Sequence, residues 1–448
     1  MPYIPHTLQQ QKEMLEVIGI GSMEDLFKDI PRDLRAGNFH IPPGKSEMEV
    51  TEYIRKLASF NSTGLKSFLG AGFYDHYIPA AGPALVSRSE FYTAYTPYQA
   101  EASQGSLQAL FEYQSAMCRL LNMDFANASV YDGGTAIYEA MMMAVRQTKR
   151  KRIIISADLS PIYQAMLSCY TKNLHLELKV IDHNHGLAAV QDLEKAIDED
   201  CAALIVQNPS FFGNIFDYSD LFSKCRELGI ISIISVYPLL QSVLKTPGEM
   251  GADIAVAEGQ SLGLPLSFGG PYLGIMTCTR KLIRQMPGRI VGRTKDTQSR
   301  TGYVLTLQAR EQHIRREKAT SNICSNQSLC ALQALAYICL MGPEGLSQTA
   351  LKSMDLAHYA ASKLTSIEGV ELLNNAPFGN EFALKLPINA YDLIGDMVRK
   401  GYVPGFPLSR YYKDMENCLL VACTEKVSQQ DIGVLCELIR GKLNENNF

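Results

Sequence analysis

Residues 246–280 read TPGEMGADIAVAEGQSLGLPLSFGGPYLGIMTCTR. After Gly251 and Ala252, Asp253 opens an apolar run with the length and composition of a short buried strand. A polar turn containing Gln260 and Ser261 follows, and then Gly269, Gly270 and Pro271. No lysine lies in the stretch. The nearest are Lys245 and Lys281, one on each side.

Outward from this segment, short apolar runs recur at residues 152–156, 176–181, 202–206 and 230–236, with helical or loop segments between them. Residues 104–121 and 135–147 have helical periodicity. Continuous apolar strands alternating with helices predict an α/β fold whose mainly parallel sheet is buried on both faces. A second region, from Asn322, holds helical patterns at 328–341 and 347–364. Strand and helix signals follow at 370–373, 381–386, 391–400 and 418–423. That composition predicts a smaller C-terminal α+β domain. At the other end, residues 9–28 and 46–57 read as helices, and 60–91 are rich in Gly, Pro and Tyr. The expected division is an interface-forming arm over 1–95, a large domain over 96–321 and a small domain over 322–448. An arm with much aromatic surface and little core lies on another surface, such as a second subunit.

The 448 residues are 46% hydrophobic and 20% charged, which fits a well-folded globular chain. A net charge of −4 gives no overall attraction to nucleic acid or to an anionic membrane. The eleven cysteines form no CxxC pair and read as reduced thiols. Residues 1–40 lack the apolar core of a signal peptide, and no stretch reads as the ~20 apolar residues that span a bilayer. The expected compartment is the cytoplasm. His183 and His185 do not have metal-site spacing, and no metal is expected.

Several segments combine chemistry-bearing residues, and each has an ordinary structural alternative. Gly133, Gly134 and Thr135 open a helix where free amides favour an anion such as a phosphate, yet a Gly-Gly turn is also a common helix start. Asn208 before Pro209 follows one strand, and Tyr237 before Pro238 ends the next, at the carboxyl edge where open α/β sheets place ligands. Tyr95, Thr96, Pro97 and Tyr98, with Glu101 and Gln104, form a polar aromatic turn suited to a pocket, an interface or a plain surface loop. The run from Leu307 to Asn322 is basic and polar. It reads either as a solvated face or as a hinge whose Arg315 and Arg316 meet an acidic group.

Taken in order, FLGAGFYDHYIP, TPYQAEASQG, FANASVYDGGTAIYEA, TPGEMGADIAVAEGQSLG and LQAREQHIRREKATSNIC closely resemble the glycine dehydrogenase (decarboxylating), or P-protein, family of the glycine cleavage system. The resemblance covers nearly the whole chain and points to the N-terminal half of the long form, that is, to subunit 1 of the two-subunit form. It implies a pyridoxal-phosphate transferase fold of type I, like aspartate aminotransferase. It also implies a partner, subunit 2, with two αβ pairs assembled as a heterotetramer. The family reaction decarboxylates glycine and passes the aminomethyl group to the lipoyl arm of the H-protein. In the family the Schiff-base lysine belongs to the other half, so the coenzyme is expected to be held covalently by the partner. Here the lysine position falls at Gln260–Ser261, the aspartate that pairs with the pyridinium falls at Tyr237, and Ser160 stands where the catalytic half stacks a histidine. A chain without a positioned amine cannot hold the coenzyme as a Schiff base. By this resemblance Gly133, Gly134, Thr135, Asn208, Tyr237, Gln260 and Ser261 form a vestigial coenzyme site. Tyr95, Thr96, Tyr98, Glu101, Gln104, Arg315, Arg316, Thr320, Ser321 and Asn322 line a shared pocket from across the interface. The alternatives are an independent lyase using Lys245 or Lys281, and a non-catalytic scaffold or regulatory subunit.

Overall fold

The computed structural model describes residues 6–35, 37, 41–93, 95–323 and 325–445. Two units separate, Met1–Thr63 and Gly64–Phe448. The first contains helices α1 (Leu8–Ile18) and α2 (Glu47–Ala58), each opened by a capping box, at Thr7 and Ser46. No residue of either helix is buried, and apolar Leu8, Val17 and Met48 are exposed.

The second unit is built on a seven-stranded sheet. Its strands are β1 (Phe125–Ala126), β2 (Arg152–Ser156), β3 (Glu177–Ile181), β4 (Cys201–Asn208), β5 (Ile231–Val236), β6 (Ile254–Glu258) and β7 (Gly274–Cys278), in the spatial order β1-β7-β6-β5-β4-β2-β3. The pairs from β3 through β6 are parallel, while β7 runs antiparallel to both β6 and β1. Every residue of β5 and β6 is buried, which is why their sequences are continuous apolar runs rather than alternating ones. Helix α3 (Gln104–Leu121) covers one face of the sheet through Leu107, Met117 and Leu121. Helix α4 (Gly133–Thr148) covers the other through Ala136, Ile137, Ala140 and Met141. Helix α5 (Pro161–Thr171) follows β2, and a hairpin, β8 (Ile290–Lys295) with β9 (Thr301–Thr306), follows β7.

Helix α6 (Ser328–Leu364) joins the two halves of this unit. It is two helical segments that meet at a break at Gly342, where φ is 62°, just before Pro343, because proline cannot donate the helical hydrogen bond and clashes with the preceding turn. By length and composition α6 could cross a bilayer, contrary to the sequence expectation. Its buried Ala331, Ala334, Ala357 and Ala360 pack instead as those of a core helix. Residues through Ala350 belong to the sheet's core and those from Leu356 to the C-terminal core, so the changeover lies inside α6 rather than at residue 322. The C-terminal layer contains β10 (Glu371–Leu372), β11 (Glu381–Lys385), β12 (Phe406–Pro407) and β13 (Cys418–Ala422), with α7 (Ala390–Arg399) and α8 (Gln429–Glu445). Residues 64–95, read from sequence as part of the arm, belong to this second unit. Lys66–Ser67 pairs in parallel with Tyr402–Val403, and Phe68, Tyr74 and His76 are buried, because these rings fill core rather than cover a surface.

Candidate functional site

Strands β4, β5 and β6 run parallel, so their carboxyl ends, at Asn208, Val236 and Glu258, open on the same edge. There they border a small cleft lined by Phe73, Tyr74, Ser160, Gln207, Tyr237 and Glu258, among others. No lysine lines it among the described residues. Lys245 Nζ is engaged by Asp217 at 2.8 Å and Ser219 at 2.7 Å, and Lys281 Nζ by Asp253 at 2.6 Å. Asp253 precedes β6, at the end opposite Glu258, which removes Lys281 as an anchoring amine in the cleft.

The carboxyl groups beside the cleft are satisfied by the chain itself. Glu258 Oε2 accepts from the Gly133 amide at 2.9 Å, and its Oε1 accepts from the amides of Gln260 at 3.1 Å and Leu273 at 3.2 Å. Asp132 Oδ1 accepts from the Thr135 amide at 2.7 Å. Two carboxylates therefore fill the positive end of α4, where an anionic ligand would otherwise sit. Burial pushes Glu258 up to about 7, against its three amide donors. A Cβ on Gly133 would lie 2.5 Å from the Tyr163 hydroxyl, so only glycine permits this approach.

Gln260, at the expected lysine position, is a strap. Its Oε1 accepts from the Tyr74 amide at 2.9 Å, and its Nε2 donates to the carbonyls of Tyr74 at 3.0 Å and Leu264 at 2.8 Å. The Tyr237 ring packs at a tilt against that of Tyr74, with centroids 4.5 Å apart, and its hydroxyl hydrogen-bonds to His76 Nε2. His76 Nδ1 in turn meets Glu425 Oε2 at 2.6 Å. Although burial opposes it, this His76 contact helps hold Glu425 below its usual range. Tyr74 donates to Glu381 Oε2 at 2.8 Å, the Ala71 amide donates to Oε1 at 2.6 Å, and burial pushes Glu381 up to about 7. Asn208 closes its own turn by hydrogen bonds to both polar backbone atoms of Phe216, and Ser160 and Ser261 are buried. These residues do not fit a coenzyme phosphate or a covalently held pyridoxal ring. The amide nest is taken by carboxylates, and the anchoring position is taken by an amide side chain bound to backbone.

Of the second predicted group, Thr320 and Ser321 line a narrow surface crevice together with Arg289 and Arg310, and Tyr98 reaches it through Arg289. The Tyr98 hydroxyl accepts from Arg289 Nη2 at 2.9 Å, and the guanidinium lies 5.3 Å from the centre of its ring. The Thr320 amide donates to the Arg310 carbonyl at 2.9 Å. Ser321 Oγ donates to Glu139 Oε1 at 2.6 Å, and burial raises Glu139 above the usual carboxylate range. Gln104 is a clip that bonds the amide and the carbonyl of Tyr303, each at 2.9 Å, fixing β9 to the start of α3. The Thr96 hydroxyl is buried without a partner. Tyr95, Glu101, Arg315, Arg316 and Asn322 are exposed and do not join the crevice lining. Sequence reasoning missed Glu258, Arg289, Arg310 and the His76–Glu425 pair. The available signals were an acid closing an apolar strand (Glu258) and an arginine inside the basic run (Arg310).

The family profile described as "Glycine cleavage system P-protein" matches residues 1–439. A protein of Maridesulfovibrio salexigens described as "Probable glycine dehydrogenase (decarboxylating) subunit 1" is 61% identical over 443 residues, covering 99% of this chain and 100% of the relative. One of Oleidesulfovibrio alaskensis with the same description is 62% identical over the same coverage. Among solved structures, a crystal structure of glycine decarboxylase (P-protein) of the glycine cleavage system, in inhibitor-bound form, superposes with a TM-score of 0.92 at 40% identity. It covers 98% of this chain and 100% of that one. A Lactobacillus brevis glutamate decarboxylase shares the fold alone, with a TM-score of 0.67 at 14% identity over 94% and 97% of the two chains.

Proposed function

The chain belongs to the glycine cleavage system P-protein family, and on that premise we propose that it is the non-anchoring subunit 1 of a cytoplasmic, two-subunit glycine dehydrogenase (decarboxylating). The fold is that of type I pyridoxal-phosphate enzymes, and the family depends on that coenzyme. The coenzyme supplies the electron sink for decarboxylation, and in this reading the partner, subunit 2, anchors it. Glycine is the substrate, and the lipoylated H-protein receives the aminomethyl group.

One observation carries the reading: the strand-end cleft offers no lysine, Gln260 is tied to backbone, and Glu258 fills the α4 amide nest. This chain contributes shape and charge through Tyr98, Arg289 and the 320–321 turn, with the Tyr98 hydroxyl and the Arg289 guanidinium already oriented by one another. The test is reconstitution. The chain alone releases no CO2 from glycine, and addition of subunit 2, lipoylated H-protein and coenzyme restores release. Borohydride treatment of the complex followed by peptide mapping places the pyridoxyl label on the partner. A label on any residue of this chain sinks the assignment.

A further inference from the structure

Arg310 is only 8% exposed, and one nitrogen, Nη1, has a partner, the Met286 carbonyl. Its Nε and Nη2 have none. Those two nitrogens form one edge of the guanidinium, the edge whose parallel N–H groups match two oxygens of a carboxylate or a phosphate. A buried cation with an unmet donor edge is costly unless something occupies it. Arg310 lines the crevice with Gly288, Arg289, Thr320, Ser321 and Glu311. Arg289 is itself only 3% exposed and brings a second positive charge, so the lining carries two guanidinium groups against the one carboxylate of Glu311. The hydrogen bond from the Thr320 amide to the Arg310 carbonyl holds the hydroxyl-bearing turn beside the guanidinium.

We propose that this crevice is an oxyanion site that takes a small ligand bearing a phosphate monoester or a carboxylate, with Arg310 Nε and Nη2 as the two-pronged donor and Arg289 as the second cation. The inference concerns side chains of this chain alone and stands whether or not the subunit assignment holds.

The full-length chain at low ionic strength is titrated calorimetrically with inorganic phosphate and, separately, with acetate. The expected result is saturable binding of at least one anion, weakened at least about tenfold in Arg310→Gln, the loss associated with one charge-assisted pair. The anion bound more tightly identifies the ligand class. A measurement that needs no variant is phenylglyoxal labelling of the wild-type chain with peptide mapping, in which the binding anion protects Arg310. Absence of saturable binding by both anions, equal affinity in Arg310→Gln, or unprotected Arg310 overturns the proposal.

Discussion

The strand-end cleft and the Arg310 crevice are both lined with buried charge, yet they are finished differently. In the cleft, the oxygens of Glu258 and Glu381 receive N–H or O–H donors from Gly133, Gln260, Leu273, Ala71 and Tyr74, all within the chain. In the crevice, Arg310 Nε and Nη2 donate to nothing and Glu311 Oε1 accepts from nothing. A buried polar group that is fully met belongs to the architecture; one left unmet costs stability and marks a place that waits for another molecule. The strand-end carboxyls are thus part of the architecture, while Arg310 and Glu311 keep open valences in the crevice.

Variants can break this contrast, and the largest effect is expected in the cleft. Glu258→Ala strands three backbone donors, so stability falls by about 3 kcal/mol or more, read as a lower urea midpoint. A shift no larger than that of a surface alanine would mean the carboxylate does not fill the nest. Next is the pH dependence of Glu381, raised from 4.5 to about 7 by burial. Between those values the folded chain keeps a proton that the unfolded chain has released. The favourable state is therefore complete below pH 4.5 and is lost as pH rises through 7. Glu381→Gln keeps a carbonyl for the Ala71 amide and removes this slope, a gain of up to about 3 kcal/mol at pH 8. Melting curves of both proteins from pH 4.5 to 8 test it, and parallel slopes would refute it.

Smaller still, Gln260→Lys breaks the strap to Tyr74 and costs about 2 kcal/mol, without creating a borohydride-trappable site for the coenzyme. Covalent capture there would show that only the amine was missing from the cleft. The smallest stability effect is assigned to Arg310→Gln, within about 1 kcal/mol of wild type, because the loss of the one Nη1 bond to the Met286 carbonyl is offset by the removal of two unmet donors and a buried charge. A large destabilisation would place Arg310 with Glu258 as an architectural residue.

Much of the fold was legible in local pattern. The run at 152–156 became β2 with the same bounds, and residues 104–121 became α3, since burial on both faces and helical amphipathicity leave their periods in the sequence. In the Gly-, Pro- and Tyr-rich stretch at 60–91, expected to lie on another surface, Phe68, Tyr74 and His76 are buried, because aromatic residues look alike whether they fill core or cover a surface. Helix α8 left no sequence expectation at all, although Ile432, Leu435, Cys436 and Ile439 bury a regular stripe. Of the expected pocket residues, Tyr98, Thr320 and Ser321 converge on the crevice, whereas Arg315 and Arg316 are left exposed. Adjacent basic residues in one run cannot be told apart without knowing which of them the chain turns inward.

By itself, the order of residues settled the missing lysine between 246 and 280, for no folding can supply an amine the chain lacks. It also settled the α/β rhythm, a local consequence of burial. Tertiary structure alone decided that Glu258 would meet Gly133, 125 positions away, and that Tyr74 would meet Glu381, 307 positions away. Such pairings depend on the sheet bringing distant segments to one edge, and the protonation of their acids depends on the burial created there. Neither leaves a periodic trace in the neighbouring residues.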